Sequence, residues 1–205
     1  MKNIHKIKPE RSKSGQGLSY KNPKTKLQLA KDFHHCCGYC GDAHHYTGGI
    51  KSYHIDHFAP KSKFKELTDY YGNFVYCCPY CNLSKKDKWI GKTPSENIVD
   101  GIGFVDPCSL NYSDHLYRTE DGSITYSTTI GQYMYYELKL YLERHRILYQ
   151  LEELKDKINK IKQKIEINRD LGLDTRELTE MLSILYEAHF YYYSSFCEEL
   201  DSAIQ

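Results

Sequence analysis

The sequence contains no run of about 18 apolar residues, so no membrane-spanning helix is expected. The basic opening MKNIHKIKPERSKSGQG lacks the apolar stretch of a secretory signal, and the expected location is the cytoplasm. No G-x-x-x-x-G-K-[ST] loop occurs, so any ATPase working with this protein must be a separate chain. Internal repeats, helix-turn-helix patterns and finger arrays are also missing. Eight cysteines in 205 residues fall short of the roughly 8–10% typical of disulfide scaffolds. In a reducing compartment, paired cysteines point to metal rather than to disulfides. With 40% hydrophobic residues and 20 tyrosines, the chain is not disordered overall.

Net charge is also scarce, at +1. Taken whole, that argues against a polyanionic partner, but the average hides a split. Residues 1–92 hold 17 basic and 7 acidic side chains, a balance of +10, and residues 93–205 hold 11 and 20, a balance of −9. The first half suits a polyanion and the second does not.

The organisation expected from the pattern has four parts. Residues 1–22 form a basic arm (Lys2, Lys6, Lys8, Arg11, Lys13, Lys21). It is read either as a disordered, solvated tail or as an arm lying on phosphates or a partner. Residues 23–92 form a domain dense in Cys, His, Asp and Asn. A short helix opens it, with Pro23 in the first turn and Leu27, Leu29, Ala30 and Phe33 at helical spacing. Tyr53, Ile55 and Phe58 suggest a strand ending at Pro60, Lys63–Tyr70 a short helix, Phe74–Tyr76 a second strand and Pro79–Trp89 a helix. Residues 93–130 read as a loop and hairpin connector, with Asp121-Gly122 as the turn. Residues 131–205 read as a helical hairpin, with one long helix expected over 130–168. Its seam is Leu151, Leu154, Ile158, Ile161 and Ile165. After the break at Asp170-Leu171-Gly172 comes a second helix over about 174–202. Its stripe is Leu178, Leu182, Leu185, His189, Tyr192 and Phe196.

Cys37-Gly-Tyr-Cys40 and Cys78-Pro-Tyr-Cys81 are two C-x-x-C knuckles that together complete a tetrahedral structural zinc site. A redox dithiol is the competing reading, but that motif normally occurs once, on a βαβ pattern. Cys36 and Cys77 adjoin the pairs, and the x-x spacing selects Cys37 and Cys78. The 37 residues between the knuckles hold His54-Ile55-Asp56-His57-Phe58-Ala59-Pro60-Lys61-Ser62 and Asn73. Asn82-Leu83-Ser84-Lys85 follows the last knuckle.

This series, C-x-x-C, D-H-x-x-P-K-S, N-x-x-x-x-C-x-x-C-N-x-x-K, resembles the HNH endonucleases over residues 37 to 85. Where the family name has its final His, this chain has Asn82. The resemblance implies a small zinc-stabilised ββα-metal domain; with the helical pattern that follows, the expected fold class is α+β, this domain followed by a mainly α-helical region. It implies His57 as general base, suited to neutral pH, and a catalytic divalent ion, Mg²⁺ or another, held by Asp56 and Asn82. Asn73 would fix the loop carrying His57. Lys85, three positions after Asn82, is read as a phosphate contact or as a solvated lysine, and Lys61 as a backbone phosphate contact. His54 is either a third metal ligand or a hydrogen-bonded core histidine. Phe74 and Trp89 are expected in the core, and Cys108 and Cys197 as free buried thiols.

The implied activity is metal-dependent hydrolysis of DNA. The rival readings are an RNA- or tRNA-cleaving nuclease and a zinc-knuckle module that binds nucleic acid without cutting it. The layout is similar to HNH proteins of bacterial anti-phage systems, such as the Septu-type nuclease subunit that works beside an ATPase. The tyrosine-rich C-terminal helices are read as a docking surface for a second copy or for a separate ATPase. In Tyr191-Tyr192-Tyr193, at least one ring must point away from the seam.

Overall fold

The computed structural model describes residues 1–202; the end of the expected 131–205 region lies outside them. The chain divides into two units, Met1–Leu142 and Glu143–Gln205. Helix and strand are mixed in the first, and the second is helical.

The first unit begins with β1 (Lys2–Asn3), so the basic arm is not a solvated tail. Ile4 is buried. Arg11 donates twice to the Asp106 carboxylate, at 2.9 and 3.1 Å, and through Nε to the Phe74 carbonyl at 2.7 Å. These anchors are single residues without periodicity, and the sequence pattern therefore did not expose them. Helix α1 (Pro23–Asp32) starts at Asn22, whose side chain accepts from the Lys24 N–H at 2.9 Å, with Pro23 at the first position. Leu29 and Ala30 are buried on it.

Strands β2 (His54–His57) and β3 (Phe74–Cys77) pair antiparallel, with His54 opposite Cys77 and His57 opposite Phe74. The segment between them holds only a short 3₁₀ turn, Lys65–Leu67, where a helix was expected. Helix α2 (Pro79–Lys85) follows β3. It stops earlier than Trp89 because Lys86 takes φ +50°, which ends helical geometry. Phe74 and Trp89 lie in the core.

Residues 93–142 pack as part of this same unit rather than as a connector. They supply β4 (Ile98–Val99), β5 (Ile102–Gly103), α3 (Tyr112–His115), β6 (Leu116–Arg118), β7 (Ile124–Tyr126) and α4 (Thr129–Glu137). The order β1-β6-β7 joins the two ends of the unit in one sheet. The expected long helix is broken after α4. Lys139 adopts φ +55°, while Leu140 N–H donates to Tyr135 O at 2.9 Å and Lys139 N–H to Tyr136 O at 3.2 Å. This is a Schellman stop without a glycine, so the sequence carried no signal for it.

The second unit is α5 (Glu143–Asp170) and α6 (Arg176–Ser202), packed along their length. At 28 residues, α5 spans about 42 Å. Its end repeats the Schellman pattern, now with Gly172 at φ +67°. Leu151, Leu154, Ile158 and Ile165 are buried on α5. Every stripe residue of α6 is at least partly covered, and Phe196 fully. Tyr191 and Tyr193 are exposed and Tyr192 is not. Among the described residues, no helix is long and apolar enough to cross a membrane.

A buried cation fastens β6 to the first knuckle. Arg118 donates to the Cys40 carbonyl at 2.6 Å and to Gly122 O at 2.7 Å, and lies 3.7 Å from the Asp42 carboxylate. Both side chains are out of solvent. Removing one partner of such a pair strands the other charge, so Arg118→Met should cost about 3–5 kcal/mol. The readout is a lower urea midpoint at unchanged slope. A parental midpoint would show that the contact carries no weight.

Candidate active site and metal centre

The two knuckles meet in the core. The sulfurs of Cys37, Cys40, Cys78 and Cys81 all lie within 4.8 Å of one another, and all four residues are buried. Cys40 Sγ and Cys78 Sγ are 3.8 Å apart. Four sulfurs at about 2.3 Å from a tetrahedral zinc would stand about 3.8 Å from each other, so the donor set fits the ion. Cys77 is buried beside the cluster but directs its Sγ to the Cys78 carbonyl at 3.3 Å, and Cys36 is half-exposed. Burial pushes the Cys40 and Cys78 thiols up. Against the same burial, hydrogen bonds from neighbouring thiols hold Cys37 well below the usual thiol range. Four sulfurs brought together out of solvent suit a cation, which would hold them as thiolates.

Next to this cluster lies a pocket of about 320 Å³, lined by His54, Asp56, His57, Lys61 and Asn82 among others. The end of β2 is what lets neighbouring residues share it. The Phe58 N–H still donates to Asn73 O at 2.8 Å, and then the chain turns at Pro60. Asn73 grips this turn at both ends of its amide: its Oδ1 accepts from Ala59 N–H at 2.8 Å and its Nδ2 donates to Ala59 O at 2.9 Å.

His57 has its Nε2 at 2.9 Å from the Thr68 carbonyl. A carbonyl only accepts, so Nε2 carries the proton and Nδ1 is left as the basic nitrogen. Burial lowers the His57 pKa, opposed by the bond to Thr68. Asp56 Oδ2 accepts from Tyr39 Oη at 2.6 Å and pairs with Lys85 Nζ at 3.1 Å. Burial pushes its carboxyl up, while Lys85 and Tyr39 pull it down. Its other oxygen has no partner among the described residues. The Asn82 side chain has none either, and both residues line the pocket. A carboxylate oxygen and an amide oxygen facing one pocket are donors suited to a hard divalent cation.

Four residues lie elsewhere than in at least one of the environments expected for them. Lys85 is fully buried, bonded to the Asp56 carboxylate and to the His57 carbonyl at 3.1 Å, so it is neither a phosphate contact nor a solvated lysine. It lies four residues after Cys81, on the inward face of α2. His54 is exposed and lines the pocket rather than sitting in the core. Cys197 is exposed and Cys108 half-exposed, not buried. Lys61 is exposed at the pocket mouth.

Sequence reasoning missed Tyr20. Its ring centroid is 4.8 Å from that of His57, and Lys61 Nζ stands 4.0 Å above its ring. No spacing rule reaches a residue 37 positions before the histidine it covers. Thr68, Lys86 and Asp87 were missed as well, the last two as further pocket residues.

Neither a curated relative nor a solved structure matches the chain. A family model described as HNH endonuclease matches residues 37–88, about a quarter of the sequence. That match spans both knuckles, the two paired strands and both pocket histidines. Residues 37–88 thus match an HNH endonuclease domain, which supports a nuclease-type function in general terms, and they hold four buried cysteines positioned to bind a metal ion.

Proposed function

We propose that this protein is a divalent-metal-dependent endonuclease that hydrolyses DNA phosphodiester bonds, with zinc in the four-cysteine site. The observation that carries this reading is His57. Its Nε2 proton is committed to Thr68, and its ring lines the same pocket as the unpartnered donors of Asp56 and Asn82. His57 Nδ1 takes the proton of the attacking water. Asn73 holds the turn after His57, which keeps the base in place. Asp56 and Asn82 would hold the catalytic ion. When bound, that ion stabilises charge on the phosphate and on the leaving oxygen. Lys61, exposed at the mouth, supplies a contact to the phosphate backbone without sequence preference. Paired cysteines at metal-ligand spacing suit a reducing compartment and so support a cytoplasmic location, and the layout supports a role in anti-phage defence.

For the helical hairpin, the partner we propose is a second copy of this chain. A groove of about 540 Å³ runs beside Ile161, Ile167, Met181 and Leu185, rimmed by Lys157, Lys160 and Lys164. On α6, Ile184 is 66% exposed beside Glu177 and Glu180. These lysines and glutamates have no ion-pair partner among the described residues. A twofold axis along the helices sets the lysine row of one copy against the glutamate row of the other, a self-complementary face.

Incubation with plasmid, single-stranded DNA and tRNA, with and without Mg²⁺ or Mn²⁺, tests the activity. Divalent-dependent DNA cleavage is expected, lost in His57→Ala. Cutting of tRNA alone would favour the RNA reading, and binding without cutting the knuckle-module reading. Cys81→Ser should lose zinc by metal analysis and lower the melting temperature. Retained stoichiometric zinc would overturn that ligand set. By light scattering, the protein should run at twice its 24.1 kDa chain mass. Lys160→Glu/Lys164→Glu and Glu177→Lys/Glu180→Lys should each be monomeric and dimerise when mixed. A monomeric parent, or dimeric single variants, would remove the proposed interface.

A further inference from the structure

Tyr20 lies outside the 37–88 match, in the segment the sequence offered only as a basic arm. Three contacts meet on it. Its ring packs on the His57 imidazole at 4.8 Å, and both rings adjoin Phe74, at 6.2 Å from Tyr20 and edge-on at 5.2 Å from His57. The Lys61 ammonium sits 4.0 Å over the Tyr20 ring, inside cation–π range. The Tyr20 N–H donates to Asp69 Oδ1 at 2.8 Å. Asp69 follows Thr68, the residue whose carbonyl accepts the hydrogen bond from His57 Nε2. The frame is therefore closed: the loop that fixes the tautomer of His57 also holds the aromatic ring that covers it. The Tyr20 hydroxyl makes no hydrogen bond within the described residues, so the contacts belong to the ring.

From this geometry we infer that Tyr20 is a positioning residue for both the base and the cation of the site. This rests on the endonuclease reading. The ring limits His57 to the orientation in which Nδ1 faces the pocket, and its π face holds Lys61 above the mouth, where a phosphate would pass. A single ring thus couples proton transfer to substrate capture. An aliphatic side chain of similar bulk would preserve the first task but not the second, because it has no quadrupole to hold a cation.

The experiment uses the full chain and a plasmid substrate with Mg²⁺, and separates kcat from KM. Affinity for a DNA duplex is measured by fluorescence anisotropy in the cleavage-dead His57→Ala background. Tyr20→Ala is expected to lower kcat about ten- to a hundredfold through misplacement of the base. It should weaken duplex binding about two- to fivefold through the loss of Lys61 placement. Tyr20→Phe should restore both values to near the parent. Tyr20→Leu should keep most of kcat and show the same loss of affinity as Tyr20→Ala. Melting temperature and zinc content serve as folding controls, and Tyr20→Leu covers the case in which Tyr20→Ala does not fold. If Tyr20→Phe is as impaired as Tyr20→Ala, the hydroxyl acts and the ring assignment is wrong. Parental kcat and affinity in Tyr20→Ala or Tyr20→Leu would also overturn it. A parent protein that does not cleave would instead overturn the endonuclease reading, with the affinity comparison still reporting on Lys61, and a His57→Ala protein that still cleaves would overturn the assignment of His57 as the base that Tyr20 positions.

Discussion

Four sulfurs must reach one point in the core, and much of the site follows from that. Convergence of Cys37, Cys40, Cys78 and Cys81 fixes the rotation of α2, because Cys81 has to face inward. One helical turn later, Lys85 is carried inward as well. A buried ammonium needs an anion, and it finds Asp56 at 3.1 Å. The same ammonium donates to the His57 carbonyl. Tyr39, between the two cysteines of the first knuckle, completes the link by donating to Asp56. The backbone of Tyr39 is in turn held by the Tyr112 hydroxyl at 2.7 Å. The metal-binding cluster and the pocket are thus one mechanical unit, joined through Asp56. That carboxylate has two jobs: one oxygen anchors the scaffold and the other is left for the pocket.

Much of this was legible in the sequence, for identifiable reasons. The knuckles are local, their spacing reflects ligand geometry, and the strand pair and α2 carried short-range signals. The hairpin seam was readable because heptad spacing repeats over several turns. What failed was of two kinds. Some features had no local signal, such as the non-glycine stop at Lys139 and the long-range partners of Arg11 and Tyr20. Others had a signal that was read from one neighbour when another decided the outcome. Lys85 was compared with Asn82, three positions away, although its alignment with Cys81, four positions away, governs where it points. For His54 the core was one of two readings, and the β2 face it shares with Asp56 opens on the pocket instead.

The segments flanking the matched domain have a structural task of their own. A ββα core of about fifty residues buries little apolar surface, and small domains of that size usually need a metal or added structure to hold together. Here β1 and β6 close a sheet across the ends of the first unit. Arg118 ties that sheet to Cys40, and Arg11 ties the arm to β3 and Asp106. Each of these arginines spends its fork on carbonyls and carboxylates in the interior, a use for which guanidinium is better suited than ammonium. The N-terminal segment is therefore scaffold first, and Tyr20 reaches the pocket because Arg11 and Ile4 have already fastened the chain around it.

This changes what the charge split means. The +10 balance of residues 1–92 counts Arg11 and Lys85, yet both are neutralised in internal ion pairs, with Asp106 and Asp56. The pair with Asp106 crosses the boundary at residue 92, so it cancels a positive charge of one half against a negative charge of the other. A polyanion responds to exposed charge near its path, not to a sum over the chain. At the pocket that charge is Lys61 and Lys86, with Asp87 beside them. Local cations of this number favour approach of a phosphate backbone but give little grip by themselves. The arrangement of the few cations at the mouth therefore matters more than their count.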